Sequence, residues 1–520
     1  MWTRRRLYST ATATISQKSR YKPVIGLEVH VQLNTLTKLF SRCPTSEAPP
    51  NRRVLPFDMA TPGILPKLNR QCVHRALKMA RILNCYVPEW SRFDRKHYFY
   101  ADMPAGYQIT QNERPIAKDG VFGFWVFDEH LEKAYWKEVQ ILQLQLEQDS
   151  GKTIHLTESD ETGPPKSLID YNRAGCALIE IVTSPCFETA IEAIRFVQTL
   201  RLLLIHHNLC DGELHKGHMR VDANVSLSKD HIKGTRTEIK NMNSIRTIHT
   251  AINFEIARQF EILSANGQVI NETRAADSMG RTVPMRDKEV ETDYRFMIEP
   301  NLPKLVIKEE WRRQADEELE KEGKADFEWL RDVIGFDARS AVHIAEEPEL
   351  LTFVKRCVRH KDSTVTADEI LYWMRELKII MQRSKVNYPP QRYSGRELGR
   401  FTEFFYSDFF AKQFTTLISC QHRLTRLRLL ELLRLYATGE YVEDVLEFIE
   451  ANSFWRITSP EKIDEFVEKS MKKDAKLAEK VRNGHAKSFN RMRNLIVDSS
   501  EKCIELEDVE TAMRRFLDRK

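Results

Sequence analysis

No two of the chain's cysteines stand at C-x-x-C spacing; the nine, at positions 43, 72, 85, 176, 186, 210, 357, 420 and 503, are odd in number and scattered. Such a set points to reduced thiols and excludes a disulfide framework or a Cys-rich zinc site. No apolar run approaches the roughly 18 residues that crossing a bilayer requires, so no membrane span is expected. Acidic residues are missing from Met1 to Leu27, where Arg4, Arg5, Arg6, Lys18, Arg20 and Lys22 stand among serines and threonines. An Arg- and Ser-rich stretch free of acid and without an apolar centre has the composition of a mitochondrial presequence, which places the protein in the matrix and residues 1–20 outside the fold. A disordered basic arm is the other reading of that stretch. A P-loop is also lacking, because S-G-K-T at 150–153 would need glycine at 146 and the chain has Leu146.

What is present is ordinary in bulk. The chain has 520 residues, 42% of them hydrophobic and 30% charged, which allows about two to four domains. A net charge of +5 permits a nucleic-acid partner only through a local patch. Glycine and proline are unevenly spread. Residues 1–305 hold 13 Gly and 16 Pro, and residues 306–520 hold 6 and 4. The composition passes from turn-rich to helix-rich, and an α+β architecture follows. Alternating segments at Val24–Leu33, Val139–Leu146, Leu178–Val182, Arg220–Leu227 and Arg236–Lys240 predict strands, and helical spacing appears at Gln71–Leu83, Thr189–His206 and Thr247–Ala265. Together they predict one large domain with an antiparallel or mixed sheet over residues 21–305. A helical domain is expected over 306–386, with helices at Phe327–Ile334 and Ala367–Met381. After the linker N-Y-P-P an all-helical tail is expected over 391–520, with runs at Arg396–Phe414 and Leu424–Tyr436.

Four segments could carry chemistry. Arg92–Gln111 combines cations, acids and large aromatics, a mixture that suits a polar cleft with apolar walls better than a core strand or a loop; a mixed-charge surface hairpin is the alternative. In G-L-E-V-H-V-Q-L, alternation sets Glu28, His30 and Gln32 on one strand face, where a carboxylate and an imidazole could meet a cation. Glu147 and Asp149 share a face at a strand end, a pair of hard oxygen ligands. Arg220, Asp222, Asn224 and Ser226 share one face of a strand, and Arg236, Glu238 and Lys240 share one face of the next, so a hairpin would place acids and cations in register. Solvated sheet faces often look the same. His215 and His218 read more simply as a solvated turn than as ligands. Between Lys469 and Arg493 nine Lys or Arg face only Asp474 and Glu479, a pattern open to a solvated face or a phosphate-backbone contact.

Taken in order, G-L-E-V-H-V-Q-L, T-P-G-I-L-P-K-L-N, F-D-R-K-H-Y-F-Y, G-Y-Q-I-T-Q, L-E-Q-D-S-G-K, D-Y-N-R-A-G, L-I-E-I-V, R-V-D-A-N-V-S, T-E-I-K-N-M-N-S, N-E-T-R, M-R-D-K-E and D-Y-R-F-M-I-E-P-N-L-P resemble the B subunit of the glutamyl-tRNA(Gln) amidotransferase in its mitochondrial branch. The likeness covers residues 24–305 and loosens beyond, where K-V-R-N-G-H-A-K lies in the part the family uses on the tRNA body. The resemblance implies a cradle-shaped catalytic domain in which ATP and Mg²⁺ activate the γ-carboxylate of glutamate on mischarged Glu-tRNA(Gln) as a γ-glutamyl phosphate. Ammonia then gives Gln-tRNA(Gln). It also implies a heterotrimer, in which the amidase, or A, subunit supplies ammonia through a channel and the small C subunit clasps the other two. This chain shows neither a Ser-Lys amidase signature nor a Cys nucleophile with a placed histidine, so it is not expected to release ammonia from glutamine itself.

Carried onto matching positions, the family's centre names Glu28, His30 and Glu147 as catalytic and metal-binding residues, with Asp222 and Glu238 behind them as ligands. Lys96 matches a lysine of the ammonia route. Arg173, Arg220, Lys240, Arg274 and Arg286 are candidate phosphate or carboxylate partners by charge and motif membership. Lys472, Lys473, Lys476 and Arg482 are candidate tRNA contacts. The chain departs from the family at Gln148, where a second glutamate is common, at Gln145, where histidine is frequent, and at Ala105, where lysine is frequent. A zinc knuckle of some members has only Cys43 here, and no zinc is expected. Two other functions remain open: a non-catalytic tRNA-docking and assembly protein of the same complex, and a stand-alone ATP-dependent ligase.

Overall fold

The computed structural model describes residues 21–128, 130–131, 133–156, 166–230, 232–285, 294–383, 407–438 and 443–518. Its chain divides into two compact units, Met1–Asp326 and Phe327–Lys520. In the first unit the strands are β1 (Tyr21–Gln32), β2 (Trp90–Ser91), β3 (Asp94–His97), β4 (Tyr107–Thr110), β5 (Ala117–Val126), β6 (Tyr135–Gln148), β7 (Lys152–Leu156), β8 (Lys166–Asp170), β9 (Ala177–Thr183), β10 (Met219–Lys229), β11 (Thr237–Met242), β12 (Glu272–Ala276), β13 (Thr282–Pro284), β14 (Met297–Ile298) and β15 (Leu305–Val306). The helices are α1 (Arg70–Ile82), α2 (Ala190–His206), α3 (Ile245–Ser264) and α4 (Glu309–Glu322). Eight strands form one mixed sheet in the order β13-β12-β11-β10-β1-β9-β6-β5, so the α+β expectation holds. Only β12 enters parallel to a neighbour, β11, among the described strands of this sheet.

The sheet is two-faced because its strands alternate. Leu27, Val29 and Val31 of β1, Ile179 and Ile181 of β9 and Val221, Ala223 and Val225 of β10 are buried on one face. Phe122 and Phe124 of β5 close that core against Phe196 of α2. The helices start where side-chain caps allow: Asn69, Thr189 and Ser244 each accept a backbone N–H of the first turn of α1, α2 and α3. The other face of the sheet carries the polar residues of β1, β10 and β11. Two register shifts interrupt the ladder, one between Ile141 and Gln143 of β6 against β9, the other between Val221 and Ala223 of β10 against β11. The first changes the phase of β6: Val139 and Ile141 are buried before it, and Leu144 and Leu146 after it. Glu147 therefore joins the polar face; unbroken alternation would have sent it into the core.

Beyond Leu305 the structure refines the expected boundaries. Helix α4 belongs to the first unit, where His74, Lys78 and Arg81 of α1 pair with Glu318, Glu322 and Asp316. The helical turn Asp326–Trp329 straddles the boundary between the units, and in the second unit it and the π-helical turn Leu330–Ile334 are followed by helices at Ala338–Glu346, Pro348–His360, Ala367–Arg383, Asp408–Ser419, Arg426–Ala437 and Val445–Ala451. They enclose a core that includes Phe353, Trp373, Phe410, Phe414 and Tyr436. Helices Pro460–Lys473, Ala475–Arg482, Ala486–Ser499 and Leu506–Asp518 enclose a separate core around Val467, Met492, Ile496 and Val509. Ile457 packs against both cores, so the packing changes there, well after the expected 386/391 division. The linker Asn387–Pro390 and the first part of the run Arg396–Phe414 lie outside the described residues, as do residues 1–20.

Gly120 marks where β5 meets the loop after α1. A Cβ there would sit 2.4 Å from Cys85 Sγ and 2.6 Å from the Leu83 carbonyl oxygen, too close for either to remain in place. Gly120→Ala is expected to destabilise the first unit by about 1–3 kcal/mol through overpacking, measured as a lower midpoint in denaturant unfolding; an unchanged midpoint would contradict this close packing.

Candidate functional site

The polar face concentrates acids on five neighbouring strands. Glu28 of β1 stands directly opposite Asp222 of β10, and His30 of β1 directly opposite Glu180 of β9. Glu238 of β11 and Glu147 of β6 complete two groups, one on each side of β1. In the first, ligand atoms of His30, Glu147 and Glu180 lie within 4.8 Å of one another; in the second, those of Glu28, Asp222 and Glu238 do the same. His30 touches both, with Nδ1 3.2 Å from Glu147 Oε1 and Nε2 4.0 Å from Asp222 Oδ2. Glu28, His30 and Glu147 thus share a face as expected, but they split between two adjoining clusters and do not form one ligand set.

Hydrogen bonds fix the carboxylates. Thr110 donates to Glu147 Oε2 at 3.2 Å, Asn224 to Glu28 Oε1 at 2.9 Å, Thr273 to Glu238 Oε2 at 3.0 Å, and the backbone N–H of Asn241 to Asp222 Oδ1 at 2.7 Å. Asn241 sits in the second register shift with φ +59°, a conformation that Asn tolerates better than most residues. Thr110 comes from the β3–β4 hairpin, so Arg92–Gln111 does border the site.

The electrostatics follow from crowding. Burial by itself would lower the His30 pKa, yet the Glu147 hydrogen bond and the charges of Glu180, Glu147 and Asp222 outweigh it and raise it to about 9. Burial and the neighbouring Glu147 charge push Glu180 up to about 7. Glu147 is held below its ordinary value: its burial opposes ionisation, but His30, Lys96 and Thr110 favour the carboxylate. At neutral pH the first cluster therefore contains an imidazolium among acids. The all-carboxylate second cluster suits a hard divalent cation such as Mg²⁺ or Mn²⁺, and the first offers one nitrogen with two carboxylates.

The expected cations divide by location. Lys240 lies beside the second cluster, 3.7 Å from Glu238 Oε2. Lys96 approaches the first cluster electrically and places its ammonium 4.6 Å from the Tyr294 ring centre. Arg220, opposite His30 in register, bonds Asp149 Oδ1 at 2.9 Å, and Arg173 reaches Asp149 Oδ2 at 3.3 Å and the carbonyls of Ser150 and Gly151. Asp149 thus holds two arginines and is not paired with Glu147 as a ligand. Arg274 requires correction: it is buried on the helix side of β12, where Glu255, Glu272 and Thr282 occupy its guanidinium, so it does not stand ready for a phosphate. Arg286 lies outside the described residues. Lys472, Lys473, Lys476 and Arg482 are exposed on helices of the second unit. His218 meets only Asp211, at 3.9 Å, among the described acids, and neither it nor His215 joins a ligand cluster. Glu180 was missed as a site residue, although a single acid within the apolar run L-I-E-I-V was its visible sign.

A cavity of about 300 Å³ adjoins the end of β6, lined among others by Asp58, Met103, Ala105, Tyr107, Gln148 and Asp149. Gln148 Oε1 is buried there without a hydrogen-bond partner among the described residues.

Residues 23–313 match the family described as the GatB/GatE catalytic domain, a span that contains both clusters. The chain belongs to the GatB/GatE family. It is 36% identical over 522 residues to the B subunit of the mitochondrial glutamyl-tRNA(Gln) amidotransferase of Aedes aegypti, covering 97% of this chain and 95% of that protein. The human mitochondrial B subunit is 45% identical over 302 residues, 57% of this chain and 53% of that one. The B subunit of a bacterial aspartyl/glutamyl-tRNA(Asn/Gln) amidotransferase, from Brachyspira hyodysenteriae, is 39% identical over 343 residues, 65% and 70% of the two chains. The GatB/GatE match ends just inside α4, so the helical second unit lies beyond it.

A divalent ion entering the His30 cluster must displace the imidazolium proton, because His30 is protonated below about pH 9. Apparent Mn²⁺ affinity at this cluster is expected to rise about tenfold per pH unit from 7 towards 9, with proton release seen by calorimetry in buffers of different ionisation enthalpy. Affinity flat across that window would contradict the assignment.

Proposed function

We propose that this chain is the B subunit of a mitochondrial glutamyl-tRNA(Gln) amidotransferase, an amide-forming ligase working in a heteromeric complex, and that the two clusters are its activation centre. Family membership and the mitochondrial relatives support the first part. The single observation that carries the second is the pairing of two three-residue ligand clusters across β1.

In this reading ATP transfers its γ-phosphoryl group to the γ-carboxylate of glutamate on Glu-tRNA(Gln), ADP leaves, ammonia attacks the acyl carbon, and phosphate departs as the amide forms. Phosphoryl transfer depends mainly on positioning and charge neutralisation. Glu28, Asp222 and Glu238, with His30, Glu147 and Glu180, would hold Mg²⁺, which supplies charge neutralisation on the phosphates when bound. Lys240 beside the second cluster and Lys96 beside the first would meet anionic groups of the substrates. Arg173 and Arg220, anchored by Asp149, would do so from the other end of the face. The cavity at Ala105 and Gln148 would lead ammonia from an amidase partner, the A subunit, with the small C subunit joining the assembly, and Lys96, beside the first cluster, would serve that route by the family resemblance. The docking and assembly function draws on the Gln148 and Ala105 departures, and the paired clusters across β1 favour the catalytic reading over it.

Purified complex tests this with Glu-tRNA(Gln), ATP and glutamine. Glu147→Gln and His30→Ala are each expected to reduce Glu-tRNA(Gln)-dependent ATP cleavage by roughly 10² or more. Wild-type cleavage in the double variant would remove the clusters from the chemistry, and a parent complex without such cleavage would favour the docking function.

The exposed cations of the tail are proposed to contact RNA backbone without reading bases. Replacing Lys472, Lys473, Lys476 and Arg482 with glutamine should weaken tRNA binding and flatten the slope of log affinity against log salt by about 0.7–0.9 per lost phosphate contact. A slope equal to the parent's would place the RNA elsewhere.

A further inference from the structure

We propose that Thr273 is a positioning residue for the Glu28, Asp222 and Glu238 cluster, holding Glu238 in a single-oxygen ligand geometry. This rests on reading that cluster as a cation site. Its hydroxyl donates to Glu238 Oε2 at 3.0 Å, and Lys240 lies on the same oxygen at 3.7 Å. That leaves the other oxygen of Glu238 for an ion. The same arrangement recurs at both other ligands: Asn224 occupies Glu28 Oε1, and the Asn241 N–H occupies Asp222 Oδ1. Three carboxylates are each tied through one oxygen by a neutral donor, which orients them without neutralising them.

Thr273 reaches Glu238 because the register of β12 is specified from beneath. In the parallel β11–β12 pair Thr273 stands opposite Glu238, and Arg274 opposite Ile239. A slip of one residue would turn Thr273 to the helix side and Arg274 onto the carboxylates. Arg274 opposes that slip. Its Nε donates to Thr282 Oγ1 at 3.1 Å, its Nη2 to the Thr282 carbonyl at 2.6 Å and its Nη1 to Glu272 Oε1 at 2.7 Å, with Nε 3.6 Å from Glu255 Oε2. Glu255 is completely buried and also accepts from Arg258, Gln259 and Thr282. This network spans α3, β12 and β13 and satisfies its charges in the observed register, the registry role for which buried ion pairs are best attested.

The test is a Mn²⁺ titration of the full-length chain, following free Mn²⁺ by electron paramagnetic resonance, with no nucleotide present. Thr273→Val keeps the shape and removes the donor; it is expected to weaken one class of Mn²⁺ site about tenfold, the class that Glu238→Gln abolishes. Thr273→Ser, which keeps the hydroxyl, is expected to bind like the parent. Thermal unfolding of each variant confirms that the titration reads folded protein, so that a change in Mn²⁺ binding is not a loss of fold. A Thr273→Val titration that overlays the parent while Glu238→Gln loses the site overturns the proposal and spares the cation site. Parent-like binding in Glu238→Gln overturns the cation site itself. Equal weakening in Thr273→Val and Thr273→Ser also overturns the proposal, because the hydroxyl would then not be the operative group.

Discussion

Mutual repulsion among carboxylates is the constraint around which this sheet is built. Five of them, Glu28, Glu147, Glu180, Asp222 and Glu238, share one face, at ligand-atom spacings within 4.8 Å inside each cluster. Two unit charges that close repel by about 3–4 kcal/mol at an effective dielectric near 20. A fold tolerates such crowding only if protons, fixed cations or bound ions supply the opposite charge. The first two are visible: the neighbouring acids hold a proton on His30, burial and the Glu147 charge push Glu180 towards holding one, and Lys96, Lys240 and Arg220 stand alongside. The price in stability is borne by the opposite face, where Val29, Val31, Ile181 and Val221 are fully buried.

The strand faces were legible where alternation ran unbroken. Glu28 with His30, and Asp222 with Asn224, could be assigned to one face from spacing alone, because side chains in a strand change sides at every residue. Glu147 was not legible in that way. Continuing the alternation from Val139 and Ile141 would bury it, and only the extra residue in β6 restores it to the polar face. Such an insertion belongs to the pairing of β6 with β9, a relation between distant segments that local sequence does not express. The same holds for Asn241, whose backbone N–H reaches Asp222 because β11 carries the irregularity opposite β10. The motif resemblance located Glu147 despite this, since a family pattern already contains the consequences of register.

Charge type was a poorer guide than strand face. Arg274 and Lys240 looked equivalent as cations near matching motifs, but β11 and β12 direct them to opposite sides of the sheet. Arginine's planar set of five donors suits a buried network that needs several fixed acceptors at once, which is what Glu255, Glu272 and Thr282 provide. Lysine, with a compact ammonium on a flexible stem, is better placed beside a face that must accept changing charge. Arg173 and Arg220 fall between these extremes, because Asp149 orients both and yet cannot neutralise two guanidiniums. Arg220 also feels the charges of Glu147 and Asp222, so it offsets part of the acid crowding on the face.

The two clusters cannot act independently, because His30 lies against both. Its Nδ1 contacts Glu147 and its Nε2 approaches Asp222. Each group that supports the imidazolium is therefore a candidate ligand of one cluster or the other, and a cation on either side withdraws part of the field that keeps His30 protonated. A cation on the carboxylate cluster would loosen the His30 proton and at the same time repel a second cation beside Glu147, so the two effects oppose each other. The His30 ring stands between the two groups of acids, so the charge of each group acts on the same titrating side chain, and the protonation of that ring belongs to both groups together.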